Sequence, residues 1–318
     1  MNIQPVNSTV IKKAAEYLRF GRLVAFPTET VYGLGADATN DRAVAEIFSA
    51  KGRPQFNPLI VHVCHVSMAK RFAVWNDLAE KISAAFWPGP LTFILPRTAD
   101  CSISLLASAG GDTIGVRMPA HSVAHALLAE AGVPVAAPSA NRSGRISPTA
   151  ASHVYEELGE LPAMILDGGE CSVGIESTVI DLSGSGVTLL RPGFVTRDQL
   201  QEVTGMDVAV PGETQGILKS PGMLASHYAP SLPVRLNVTD PRADEALLAF
   251  GSNVPPGAKY VFNLSADGNL VEAAAHLFAG LRELDHPELY SAIAVMPLPD
   301  LGIGVAINDR LARAAAAR

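Results

Sequence analysis

The chain has 318 residues, with 24 Lys+Arg against 31 Asp+Glu and a formal net charge of −7 at pH 7. That balance excludes a generally basic nucleic-acid coat protein, and 48% hydrophobic with 17% charged residues excludes a disordered chain while supplying a large core. The length suggests two domains. No run of about 18 apolar residues occurs and the start, MNIQPVNST, lacks the basic and apolar regions of an export signal, so a cytoplasmic protein with no membrane contact is expected.

In chain order, Ser8 and Thr9 read as the cap of a helix reaching Phe20 and stopping at Gly21, followed by a short buried strand at 23–26. Helical stretches at 41–50, 77–86, 121–131 and 149–158 then interleave with strand-like runs at 59–63, 91–95, 113–118, 133–137, 164–166, 177–182 and 187–190. This is the pattern of a mixed α/β sheet, with the closely spaced later strands antiparallel. Between 204 and 231 periodicity stops in a stretch of Gly, Pro and Ser, which reads as a linker. Beyond it, strand 233–238, helix 241–250, strand 259–264, helix 269–284, strand 291–297 and helix 304–316 form a βαβαβα unit. The expected division is 1–203, linker 204–231, and a smaller Rossmann-like three-layer α/β domain at 232–318.

Familiar motifs are mostly missing. The segment GETQGILKS at 212–220 has the wrong spacing for a Walker A loop, Ile307 stands where a dinucleotide fingerprint beginning at Gly302 needs a small residue, and no GxSxG elbow exists. Cys64, Cys101 and Cys171 are odd in number and outside any CxxC pair, which argues against a disulfide framework and against structural zinc. His62, Cys64 and His65 lack further ligands at metal-like spacing, and His121 with His125 lacks the HExxH glutamate, so packing roles are expected for them.

Five segments instead gather cations, hydroxyls and glycines at strand or helix ends. They are PTETVYGLG at 27–35, KGRPQFNPLIVHV at 51–63, DTIGVRMP at 112–119, PSANRSGRIS at 138–147, and SVGIESTVID at 172–181 with LLRPG at 189–193. The first three have ordinary structural explanations: a turn, cations favoured at a helix C-terminus, and a carboxylate partner for Arg117, whose charge in an apolar strand costs several kcal/mol unless paired or facing a ligand. Together the five place Arg53, Arg117 and Arg191 with several hydroxyls where an α/β sheet binds an anionic substrate.

These motifs, in this order from about residue 8 to 200, resemble the YrdC-like threonylcarbamoyl-AMP synthase family. SPGMLASHYAP at 220–230 followed by a small α/β domain resembles its long, two-domain members. The resemblance implies a YrdC-like mixed, twisted open sheet with helices. It also implies synthesis of threonylcarbamoyl-AMP and pyrophosphate from L-threonine, bicarbonate and ATP, a nucleotidyl transfer that begins the tRNA threonylcarbamoyladenosine (t6A) modification beside the anticodon. It further implies L-threonine contacts at Thr30, His62, Arg117, the backbone near Ala137, and Ser177. ATP contacts would come from Arg53, Asn57, the neighbourhood of Thr113, Ser139, Ser147, Arg191 and Tyr228. Lys51 and Arg53 would act in catalysis, Lys51 by drawing in anions.

Positioning and charge neutralisation suffice for such a transfer, so no protein nucleophile is needed, and Mg²⁺ is expected to arrive with ATP because no acidic cluster is apparent. A downstream tRNA threonylcarbamoyl-transferase complex is the implied partner, with possible tRNA contact. The linker is read as a lid whose segment 227–230 closes over the nucleotide. Long members often carry basic residues just before HisTyrAlaPro, whereas this chain has Leu224, Ala225 and Ser226. Two alternatives remain: a carbamoyl-transfer domain on the same scaffold, usually found beside zinc-finger and acylphosphatase modules that this chain lacks, and an RNA-binding module using Arg142 and Arg145.

Overall fold

A computed structural model of the chain describes residues 2–211 and 227–316. The segment 224–226, where the basic residues of long members are replaced, lies outside the described residues, as does much of the expected linker.

The N-terminal part contributes β1 (Ile3–Pro5), α1 (Ser8–Arg19), β2 (Val24–Phe26), β3 (Gly33–Asp37), α2 (Asp41–Lys51), β4 (Ile60–His62), α3 (Val66–Ala69) and α4 (Asp77–Phe86). These are followed by β5 (Leu91–Pro96), β6 (Thr113–Arg117), α5 (Ser122–Ala131), β7 (Val135–Ala136), α6 (Ala151–Leu158), β8 (Met164–Asp167), β9 (Thr178–Asp181), β10 (Val187–Arg191), α7 (Arg197–Thr204) and β11 (Val208–Ala209). The strands form a single mixed sheet in the order β1-β8-β2-β3-β7-β4-β6-β5-β9-β10-β11. β4 and β6 run parallel, while the neighbouring β9 and β10 pair antiparallel, as their short connection requires.

Local chemistry explains the element ends. The cap of α1 is Asn7 rather than the expected Ser8, its side chain accepting from the Val10 amide at 3.0 Å, and Gly21 lies just past the C-cap Phe20 at φ +74°. The α7 helix and β11 occupy 197–209, so regular structure extends into the stretch read as linker. The α7 helix has a full capping box between Thr196 and Gln199. Strands β1 and β3, too short or too rich in glycine to show a pattern, were not legible.

The C-terminal part comprises β12 (Val234–Arg235), β13 (Ala246–Ala249), β14 (Tyr260–Asn263), α8 (Leu270–Leu284), β15 (Ile293–Val295) and α9 (Gly304–Ala315), with an all-parallel sheet in the order β12-β15-β13-β14. The helix expected at 241–250 is instead strand β13. Its Ala-Leu-Leu-Ala run is fully buried between β15 and β14, and a strand buried on both faces is continuously apolar rather than alternating. Nor do the described residues form a third, helical layer. Both helices pack against Ala246, Leu248, Ile293 and Val295, whereas Val254, Ala258 and Met296 of the connecting loops cover Leu247 and Ala294 on the other face.

The two parts share a core: Val31, Ile146, Val173 and Ile175 pack in one cluster with Leu277, Phe278 and Ile307. At Gly174, φ is +74° and an added Cβ would lie 2.4 Å from Ala275 Cα, so α8 approaches to backbone contact. No helix among the described residues is long and apolar enough to cross a membrane.

Candidate active site

The sheet's register assembles the site. In the parallel pair β4/β6, His62 stands opposite Arg117, so both lie at the carboxyl ends of their strands. The loop 27–30 leaves the carboxyl end of β2, Ala137 follows β7, Ser177 precedes β9 and Arg191 ends β10. Together with Arg53, just past the left-handed Gly52 that ends α2, they surround a cavity roofed by His227 and Tyr228. Crevices at the carboxyl ends of strands are where open α/β sheets bind ligands.

All five residues assigned to L-threonine line this cavity: Thr30, His62, Arg117, Ala137 and Ser177. Arg117 does have the carboxylate partner offered as the structural alternative. Its Nη2 donates to Glu29 Oε1 at 2.6 Å, Nη1 to Thr30 Oγ1 at 2.9 Å and Nε to the Gly89 carbonyl at 3.3 Å. Both side chains are buried, at 5% and 9% exposure. A guanidinium has five donors, so this pairing fixes the fork while leaving two N–H groups for a ligand carboxylate. Burial, and next the Arg117 charge, push the His62 imidazole down to about 3, so it is neutral, and its Nδ1 has no hydrogen-bond partner among the described residues. Thr28 Oγ1 and Thr30 Oγ1 lie 2.8 Å apart, and Ser177 Oγ lies 2.8 Å from Thr92 Oγ1.

At the other end Arg53 and Arg191 face each other. Arg53 is tied down by backbone carbonyls, Nε to Asn57 at 3.2 Å and Nη2 to Pro58 at 2.9 Å, and no carboxylate among the described residues is within ion-pair distance of it. Arg191 donates from Nε to the Ser177 carbonyl at 3.0 Å and from Nη2 to Ser177 Oγ at 3.2 Å. Burial, and next the Arg191 charge, lower Arg53 to about 10, so it remains cationic at neutral pH, and burial also lowers Arg191. Two buried like charges at one cavity wall are costly in isolation and are favourable around a polyanion. Ser139 and Tyr228 complete this end.

Four of the nucleotide and catalytic expectations are not met at the cavity surface. Thr113 begins β6, and at about 3.3 Å per residue it sits roughly 13 Å along the strand from Arg117, away from the carboxyl end. Ser147 is turned to Glu176, its Oγ donating to Oε1 at 2.5 Å. Asn57 is buried behind Arg53, with neither side-chain polar atom partnered among the described residues. Lys51 does not line the cavity: Nζ donates to the carbonyls of Ser139 and Asn141, pinning loop 138–147 to α2, and burial lowers its pKa well below the usual range.

Residues to which sequence reasoning assigned no role include Pro138 and Glu176, both on the cavity wall. Each lies inside a quoted motif, and only folding shows which way it faces. The arginines of the RNA alternative are engaged elsewhere, Arg142 Nε with the Glu157 carbonyl and Arg145 Nη1 with Ser231 Oγ. His65 stacks edge-on with His125 at 5.9 Å, and no cluster of three metal-ligating side chains occurs among the described residues.

Residues 16–193 match the Sua5, YciO and YrdC family model, described as telomere recombination, and residues 195–316 match the C-terminal domain of threonylcarbamoyl-AMP synthase. The chain belongs to the threonylcarbamoyl-AMP synthase family. It is 40% identical to the Bacillus subtilis threonylcarbamoyl-AMP synthase, covering 98% of this chain and 94% of that protein. The family member from Pyrococcus abyssi is also 40% identical, over 97% and 94%. The crystal structure of P. abyssi Sua5 complexed with L-threonine superposes with a TM-score of 0.91 at 38% identity, covering 99% of this chain and 98% of that one. The mixed twisted sheet and two-domain architecture are those of the family.

Proposed function

We propose that this chain is an L-threonylcarbamoyladenylate synthase: a nucleotidyltransferase that converts L-threonine, bicarbonate and ATP to threonylcarbamoyl-AMP, pyrophosphate and water. The observation carrying this reading is the single cavity in which the five threonine-directed residues meet the Arg53 and Arg191 pair. Arg117, held by Glu29, presents its remaining donors to the threonine carboxylate. A neutral His62 adds no positive charge beside the amine, which must lose its proton before its nitrogen attacks the carbon of CO2 or bicarbonate. A carbamate oxygen then attacks the α-phosphorus, and the bond to the β-phosphate bridging oxygen breaks as pyrophosphate leaves. Arg53 and Arg191 neutralise the charge that develops on these oxygens, with no covalent protein intermediate.

Mg²⁺ bound to the nucleotide would neutralise further phosphate charge. The cavity's carboxylate, Glu176, is taken by Ser147 and Arg310, a donor set that suits a metal carried on phosphate and water oxygens. The segment 227–230 shields the labile mixed anhydride from water. The product is proposed to pass to a tRNA threonylcarbamoyl-transferase complex. Incubation with ATP, bicarbonate and single amino acids, with pyrophosphate as readout, tests the assignment. Release that is equal without threonine, or without bicarbonate, sinks it.

A further inference from the structure

We propose that Arg310, carried by the C-terminal domain, is a positioning residue for the nucleotide end of the cavity, acting through Glu176 and Tyr228. This rests on the reading that ATP binds against Arg53 and Arg191.

Glu176 is the one carboxylate among the described side chains lining the cavity. Left to itself, it is the wrong charge beside a triphosphate, and Arg191 is close enough to attract it. Arg310 resolves this conflict from α9. Its Nε donates to Glu176 Oε2 at 3.1 Å and its Nη2 to the Glu176 carbonyl at 3.4 Å. Nη1 reaches the Pro192 carbonyl at 2.9 Å, next to Arg191, and Asp309 Oδ2 at 2.8 Å. Ser147 holds the other Glu176 oxygen, so the carboxylate is doubly bonded and turned toward the domain junction. The same guanidinium stacks over the Tyr228 ring at 5.6 Å, and Phe278 of α8 backs that ring at 5.3 Å.

Arg310 is completely buried, and four of its five donors are used, all but one on groups at or beside the cavity wall. A cation placed there for domain adhesion alone would have no need to contact residues on both sides of Arg191. Its position instead cancels the Glu176 charge, keeps that carboxylate from competing with phosphate for Arg191, and sets the Tyr228 ring that roofs the site. The C-terminal domain thereby contributes to ATP binding without touching ATP.

The test compares Arg310→Met, Arg310→Lys, Glu176→Asp and the double variant Arg310→Met with Glu176→Gln in the full chain. KM for ATP and kcat are read by pyrophosphate release, threonine affinity by calorimetric titration, and folding by melting curves. Arg310→Met is expected to raise the KM for ATP about tenfold or more while threonine affinity changes less than threefold. Arg310→Lys keeps the charge and should recover most of that loss. In the double variant the unpaired carboxylate is gone, and KM should return to within about threefold of the parent. Glu176→Asp, which retains the charge but shortens its reach, should raise the KM for ATP even if Arg310→Met proves too unstable to assay. An unchanged KM for ATP in Arg310→Met or Glu176→Asp overturns the proposal, as does a loss that the double variant does not relieve. A parent protein without threonine-dependent release fails the reaction assignment instead, and direct titration with ATP then still reads the role of Arg310.

Discussion

Replacing Arg117 by Met removes three bonds at once. The guanidinium and the Glu29 carboxylate are 5% and 9% exposed and 2.6 Å apart, so the substitution strands a carboxylate where water cannot solvate it. Glu29 Oε2 keeps the Ala120 amide at 3.1 Å, but Oε1 loses its cation. Breaking a buried pair from one side costs about 3–5 kcal/mol, a total that includes about 1 kcal/mol each for the bonds to Thr30 and Gly89. Adding Glu29→Gln removes the stranded charge and should restore about half of the loss. Threonine binding separates the two roles of Arg117. A charge-assisted bond to the ligand carboxylate is worth about 1.5–3 kcal/mol, so both the single and the double variant should bind threonine roughly 10- to 150-fold more weakly. Denaturant unfolding measures the first quantity and calorimetric titration the second. A double variant with restored stability and parental threonine affinity would show that Arg117 only partners Glu29. A single variant as stable as the parent would refute the buried pair.

Stability should fall on acidification: His62 and His227 are each pushed down to about 3, chiefly by burial, so the folded state keeps them neutral while the unfolded chain protonates them near 6.5. Their contribution is complete above about pH 6.5 and is lost as pH drops toward 3, at up to about 1.4 kcal/mol per pH unit for each histidine, and a His62→Gln variant should flatten that slope in denaturant melts at pH 7, 6 and 5. Gly174→Ala places a methyl against the α8 backbone at a positive φ, so it should loosen the domain junction, and limited proteolysis with unchanged cleavage would count against that packing. Lys51→Met should destabilise loop 138–147 by removing the bonds to Ser139 and Asn141, which hydrogen exchange across that loop would report; unaltered protection would place the anchoring elsewhere. Pyrophosphate release should favour threonine over serine by a modest factor and over valine by a larger one, because a missing methyl costs about 1–3 kcal/mol whereas a missing hydroxyl leaves buried donors unpaired; equal use of valine removes the proposed hydroxyl contact.

The sequence by itself determined the family, the mixed sheet, and several of the residues that line the cavity. Thr30, His62, Arg117 and Ser177 sit in motifs whose order and chemistry survive any uncertainty about element boundaries. It also carried the helices with strong caps and periodicity, such as α2 and α8. What it did not determine was direction. Thr113, Ser147 and Lys51 lie in the same motifs as the cavity residues, yet one is at the far end of its strand and the other two point to internal partners. Glu176 and Arg310 are 134 positions apart, and no local pattern connects them. Strand β13 reads as a helix from its own residues and becomes a strand because both of its faces are covered by neighbours. Local propensity and motif spacing are encoded by neighbouring residues, whereas burial, register and charge pairing depend on which distant surfaces meet, and only the tertiary structure decides that.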